Sequence, residues 1–509
     1  MSIAGPEVTG RRRGTRVFLE RIVQFGQHYV EDTPEGTIVL SVLLAFVAVW
    51  MLFWTISTAS VDIHVDVDEA MQWARHFAFG YKHPPMTGWF FILWFSIFPR
   101  QQWAVDLLNV STAAVALGVT WRLLRDHLDK NGALLGLIAL ILIPLYEVKA
   151  EVLNANTVMA PFWAAALLFY LRARRGLGVV DAFLAGVFAS FTMLGKYWAI
   201  FLFAGMGVAA LASPGVKRFW RSPVPYVMAL GALIAIAPHV WWLISHDGGG
   251  AIQFAASVAN NMSFGEAAKL SAYYILGAVA YVVGPLIFLT GLRPDRAALA
   301  DIVWPAGEER RQAWILLLVP LVLPAIVNLA VPYRLTPDWT FPNWALLPIV
   351  LYGARGLSVD SRAVARAGIF ALIVVSAIVA ATPIIAAFRI THGPDRFRPH
   401  FRNVAELAAQ SAGRPIEYIW GSSDITGGLP YYLPQAQQFP TDPLSPEGRA
   451  ISRDHQLVVV CLSNDAICMR IADGLTAAGA RTQTAASTRT FLGASSQPLR
   501  FQVTVVPMT

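Results

Sequence analysis

Long apolar runs separated by short polar loops dominate the chain, and most are long enough to cross a bilayer as helices. They predict eleven spans, at 38–58, 103–121, 133–148, 157–171, 181–195, 197–213, 224–244, 270–291, 313–331, 343–354 and 367–388. Several are short, 181–195 and 343–354 above all, which fits tilted, broken or partial crossings. The run 87–98 is too short to count and fits an interfacial or re-entrant segment. After the last run the pattern changes. "GRPIEYIWG", "HQLVVVCLS" and "LRFQVTVVP" read as strands, and 400–411 and 466–479 as helices.

The expected fold is therefore mainly α: a polytopic membrane protein with about eleven transmembrane helices. An interfacial helix would lie in the first outer loop, and a small C-terminal α/β domain would sit outside the cytoplasm. The corresponding division is a cytoplasmic segment 1–37, a membrane domain 38–390 and an α/β domain 391–509.

Composition agrees. Of 509 residues, 56% are hydrophobic and only 14% charged, where soluble chains carry about 25% charged residues. Mean hydropathy is +0.52. The net charge of +7 is no nucleic-acid footprint, because the basic residues are scattered in short clusters between the spans. The first long apolar run starts near Ile38, too far along for a cleaved signal peptide, and reads as a retained span.

Charge also orients the chain. With the N-terminus in the cytoplasm, the cytoplasmic segments hold 21 Lys and Arg, and the outer loops before the C-terminal tail hold seven. The positive-inside rule selects that orientation and puts the tail outside. Cys461 and Cys468 both lie in the tail, where a disulfide is permitted; two buried thiols are the equal alternative.

Orientation reduces the candidate chemistry to a short list. The first outer loop carries Asp62, His64, Asp66, Asp68, Glu69, Arg75, His76, Lys82 and His83. The later loops carry Lys149, Glu151, Asn154, Asn156, Lys196, His246, Asp247, Arg334 and Asp338. Carboxylates mixed with cations at a membrane face suit a phosphate-bearing lipid. Structural roles compete: Asp66-x-x-Glu69 has capping-box spacing, and Arg75 and Lys82 could snorkel. Lys196, interrupting "FTMLGKYWAIFLF", is the hardest to explain structurally, since an ionisable residue at membrane depth is a functional candidate by default. Helical spacing groups Glu69, Gln72, Trp73 and His76 on one face, overlapped by Asp68, Gln72 and Arg75. Met71, Ala74, Phe77 and Ala78 form an apolar face, so an amphipathic interfacial helix is expected, ended by Pro84-Pro85.

Four segments then resemble the GT-C glycosyltransferases, specifically the bacterial protein O-mannosyltransferase and lipid A aminoarabinose transferase group. They are "DEAMQWARHFAFGYKHPPMTGWF", "GVFASFTMLGKYWAIFLF", "APHVWWLISHDGGGAIQF" and "LTPDWTFPNWALLPI", in family order over about 35–355. The resemblance implies an inverting transferase that takes its sugar from a polyprenyl-phosphate donor. Its acceptor would be a lipid or envelope glycan on the periplasmic side of the inner membrane. It also implies Asp68 as catalytic carboxylate with Glu69 assisting, and Lys196, Arg334, Lys82 and His83 on the donor phosphate. Trp73, Asn154, Asn156, Tyr197 and His246 are the substrate-binding candidates.

One departure stands out. Many relatives carry an acid where this chain reads "LNANTVMAPFW", and neutral Asn154 and Asn156 cannot act as a base. His64, Asp68, Glu69, His83 and His246 could assemble a divalent-cation site, although their spacing is not diagnostic. A transporter or flippase of a lipid-linked sugar is the alternative; it predicts an inverted repeat, and none is evident. A non-catalytic scaffold is the third reading.

Overall fold

The computed structural model describes residues 7–146, 153–212, 214–246, 262–392 and 396–508, with side chains from residue 17 onward. Lys149, Glu151 and Asp247 lie outside the described residues. The chain forms two compact units. One comprises 1–50, 78–90 and 107–377; the other comprises 51–77, 91–106 and 378–509.

Helices dominate the first unit and follow the apolar runs. Among the described residues, five helices are long and apolar enough to cross a membrane: Glu35–Ser57, Gln102–Arg125, Val224–Ser245, Glu308–Ala330 and Ser361–His392. A sixth candidate is the pair Phe264–Tyr281 and Val283–Gly291, bent by 45° inside the expected span 270–291. Met86–Phe95, Lys130–Ile141, Val179–Gly195 and Tyr197–Leu211 are apolar but shorter. The run expected at 157–171 is the helix Ala155–Gly176. The run expected at 343–354 is not one helix: a 3-10 stretch, Pro337–Leu346, leads into the short helix Leu347–Tyr352. Pro342, inside the 3-10 stretch, lacks a backbone donor and crowds the preceding turn, and Pro348 falls in the first turn of the short helix, where a missing donor is tolerated.

Polar caps fix where these helices begin. Asn154 Oδ1 accepts from the amides of Asn156 and Thr157, and Ser263 and Glu266 form a reciprocal capping box. Packing depends on small residues. A Cβ on Gly186 would fall 1.9 Å from the Met228 carbonyl oxygen, and one on Gly231 would fall 2.4 Å from that of Phe183. The helices Val179–Gly195 and Val224–Ser245 therefore approach backbone to backbone, as small residues allow between membrane helices. The N-terminal segment also contains a 26-residue helix, Glu7–Asp32, for which the apolar pattern gave no signal.

The second unit holds a five-stranded sheet. Its strands are β1 (Tyr418–Gly421), β2 (Gln437–Gln438), β3 (Leu457–Leu462), β4 (Arg481–Ser487) and β7 (Leu499–Val505), ordered β2-β1-β3-β7-β4. A separate ribbon pairs β5 (Thr490–Phe491) with β6 (Ala494–Ser495). β1 runs parallel to β2 and β3, whereas β7 is antiparallel to β3 and β4. Every residue of β3 is buried, and the strand period of two divides them between two cores. Val458, Val460 and Leu462 pack with Phe401, Val404 and Phe501; Leu457, Val459 and Cys461 pack with Ala472 and Leu475. The expected helices appear as Phe401–Ala412 and Ala466–Ala477. Cys461 and Cys468 are joined by a disulfide, with an S–S distance of 2.01 Å.

Asp62 is a structural anchor in this unit. Its carboxylate accepts from Arg489 Nη1 at 2.6 Å and from the Arg402 amide at 2.9 Å. Its backbone amide and carbonyl are both bonded to Arg398. With two cationic or amide donors on a buried carboxylate, this residue is committed to holding the first-loop segment to the C-terminal residues.

Candidate active site

In the second unit the segment carrying Asp66, Asp68 and Glu69 folds as a short helix, Val65–Trp73. His64, not Asp66, is its N-cap: His64 Nδ1 accepts from the Asp66 amide at 3.1 Å. The Asp66–Glu69 capping box expected from spacing is therefore absent, because the helix starts one residue before Asp66. The helix also ends at Trp73, so the expected apolar face does not extend along it to Phe77, which is 60% exposed.

Asp68 points inward. Its residue is 1% exposed, and Oδ2 accepts from Gln72 Nε2 at 2.8 Å, the i,i+4 relationship anticipated from spacing. Oδ1 is buried and, among the described residues, meets none of the geometry of a hydrogen bond. A narrow cleft here is lined by Asp68, Gln72, Arg75, Arg100 and Tyr431. Burial pushes the Asp68 carboxyl up to about 7, against the opposing pull of Gln72, Arg75 and the Tyr431 amide. Such a group can accept a proton near neutral pH. Arg75 is held by a bond from Nη2 to the Ala436 carbonyl at 2.8 Å, and the Tyr431 hydroxyl donates to the Arg100 carbonyl at 3.3 Å. Glu69 and Trp73 are half-buried on the same helix.

The first unit builds a second cluster around Lys196, which follows the helix Val179–Gly195 and caps it through its amide. Lys196 Nζ donates to Asn156 Oδ1 at 2.9 Å and lies 3.9 Å from the centre of the Trp339 ring. Trp198 contributes a second indole face at 5.9 Å. Among the described residues the ammonium meets an amide and two indoles but no carboxylate. Burial works against the charged form of this amine, and an incoming anion would favour it. Asn154 and Asn156, grouped together as sugar-binding candidates, thus have separate tasks: the first caps its helix and the second holds Lys196. Trp339 stacks with Tyr333, next to exposed Arg334.

Sequence reasoning missed His239. The Tyr197 hydroxyl sits 2.9 Å from His239 Nε2, and His239 Nδ1 is 2.6 Å from the Phe79 carbonyl. The carbonyl fixes the proton on Nδ1, so Nε2 accepts from Tyr197. The rings of His239, Trp242 and His246 then stack in succession. Gly80 permits this contact, because a Cβ there would fall 2.1 Å from Trp242 Cε3. The ladder positions the segment that leads to Lys82, which is exposed, and His83, which is half-buried. The helical spacing of His239, Trp242 and His246 was a usable signal. Tyr431 had none, being distant in sequence from Asp68. Among the described residues no group of three or more His, Cys, Asp or Glu is disposed to hold a metal ion.

Residues 82–242 match the family model described as dolichyl-phosphate-mannose-protein mannosyltransferase. The lipid A galacturonosyltransferase RgtD of Rhizobium johnstonii is 22% identical over 306 residues, covering 57% of this chain and 59% of that protein. The matched segment thus spans less than two thirds of the curated relative. Two crystal structures of ArnT from Cupriavidus metallidurans share the fold at 15% identity. The one bound to undecaprenyl phosphate has a TM-score of 0.60 and covers 93% of this chain and 98% of that one. The apo structure gives 0.58, with 91% and 98% covered. The chain is mainly helical and multi-pass, and in family match, curated relative and fold it resembles the GT-C-type polyprenyl-phosphate-dependent glycosyltransferases.

Proposed function

We propose that the protein is an inverting glycosyltransferase. It moves a sugar from a polyprenyl-phosphate donor to lipid A or a related envelope acceptor, at the periplasmic face of the inner membrane. The observation that carries this reading is the Asp68 carboxylate: buried, oriented by Gln72, and with no hydrogen-bond partner on Oδ1 among the described residues. It belongs to a chain that shares the fold of an undecaprenyl-phosphate-binding protein. The disulfide in the C-terminal residues supports an oxidising compartment for that side of the protein.

In the proposed reaction Asp68 takes the proton of an acceptor hydroxyl as that oxygen attacks the anomeric carbon. The bond from that carbon to the donor phosphate breaks, and the phosphate leaves with the electron pair. One displacement inverts the centre and needs no enzyme nucleophile. Glu69 assists beside Asp68. Lys196 stabilises the departing phosphate, with Arg334, Lys82 and His83 as further cations. Trp73, Asn156, Tyr197 and His246 contact the substrates directly or through the groups they hold, and Asn154 acts through its helix.

The test is to incubate the purified full chain in lipid nanodiscs with polyprenyl-phosphate sugars and envelope lipids. Transfer predicts a new glycosidic product together with free polyprenyl phosphate. In proteoliposomes, movement of the sugar-linked carrier across the bilayer without product would establish transport instead.

A further inference from the structure

The first unit contains a cavity of about 230 Å³ that no part of the candidate active site uses. Its walls come from the segments after the expected spans 103–121, 157–171 and 197–213 and from the start of Glu308–Ala330. The Lys and Arg count assigns those segments to the cytoplasmic face.

The cavity's cations are unequally engaged. Arg175 is committed: Nε and Nη2 reach the Glu309 carboxylate at 2.7 and 2.5 Å. His127 adds little charge, because burial, helped by Arg175, pushes its imidazole down to about 4. Arg174 lies over the Phe219 ring at 4.2 Å, and its Nε and Nη1 are buried with no hydrogen-bond partner among the described residues. Arg218 lines the same cavity from an exposed position. Buried guanidinium donors without acceptors are costly, and a phosphate oxygen is the acceptor chemistry that matches them. Beside these walls in the chain, Val179, Val180 and Trp220 are exposed. This apolar and aromatic rim is of the kind found where membrane proteins meet headgroups.

We infer that this cavity binds a phosphate group through Arg174 and Arg218, presented by an anionic phospholipid headgroup or as soluble phosphate. The site is independent of the transferase reading. Basic pockets between helices on the cytoplasmic side suit such headgroups.

The test uses the full-length protein in detergent and follows retained dioleoylphosphatidylglycerol by native mass spectrometry. A second arm follows the thermal midpoint with inorganic phosphate. The expected result is saturable binding in one arm, weakened about fivefold or more by Arg218→Gln and by Arg174→Gln. Glu308→Gln, which removes an acidic wall residue, should tighten binding. Lipid retention with no effect of phosphate identifies the headgroup as the source; a midpoint shift without lipid retention identifies soluble phosphate. Because Arg218 is exposed, its variant tests the site even if Arg174→Gln does not fold. Equal binding of lipid and phosphate by wild type and Arg218→Gln would overturn the proposal.

Discussion

Gln72 Nε2 donates to Asp68 Oδ2 at 2.8 Å from one turn further along the same helix, while Asp68 Oδ1 stays buried with no hydrogen-bond partner among the described residues. The bond holds the carboxylate and leaves one oxygen for an acceptor hydroxyl. It also opposes the burial that pushes the Asp68 carboxyl up to about 7. Activity that needs ionised Asp68 should rise as pH climbs through that value. Gln72→Leu removes a downward influence, so the acid limb of the pH–rate profile should move up by about one unit. A limb that stays in place would separate Asp68 from the proton transfer.

The same shift has a consequence for stability. A carboxyl raised in the native state binds more protons than the unfolded chain between its ordinary value, 3.8, and about 7. Its contribution to stability is therefore greatest at low pH and is lost as pH rises through that window. Asp68→Asn has no charge to desolvate. Its unfolding midpoint should exceed that of wild type at pH 8, by on the order of 1 kcal/mol or more, with the gap closing toward pH 4. Thermal scans at both pH values measure this.

Lys196 should matter for donor binding. Its amine is positioned by Asn156 and Trp339, with no carboxylate beside it among the described residues. Lys196→Met keeps much of the side-chain length and loses the charge, so KM for the polyprenyl-phosphate donor should rise about tenfold or more. Asn156→Ala should produce a smaller rise. Steady-state kinetics with varied donor would show it, and an unchanged KM would remove Lys196 from the phosphate site.

Gly80 and His239 test the ring ladder. A Cβ at Gly80 would meet Trp242 at 2.1 Å, and His239→Ala would strand the Tyr197 hydroxyl and the Phe79 carbonyl. Both substitutions should lower the unfolding midpoint, each by about 1–3 kcal/mol. Tyr197→Phe, which loses one bond and leaves Phe79 paired, should cost about 1 kcal/mol.

Much of this architecture was legible from simple periodicity. The apolar runs located most of the helices, and alternating or fully apolar stretches located β1, β3 and β7. The i,i+4 spacing anticipated the Asp68–Gln72 pair. Other features left no local signal. β4, "RTQTAAS", is mostly exposed and polar, so no buried face marks it. The cap at His64 was hidden because Asp66 is the more usual capping residue. Tyr431 beside Asp68 and Asn156 beside Lys196 are long-range pairings that only the folded chain creates. Asn156 looked like a lost acid; in the structure it is the partner of a lysine.

The central claim is that Asp68 performs the proton transfer. Its most direct test compares single-turnover sugar transfer by wild type and Asp68→Asn at pH 8, with saturating donor and at a temperature where thermal scans show both proteins folded. The account predicts that the variant retains donor binding but loses transfer by about a hundredfold or more. Transfer by Asp68→Asn at the wild-type rate would contradict it.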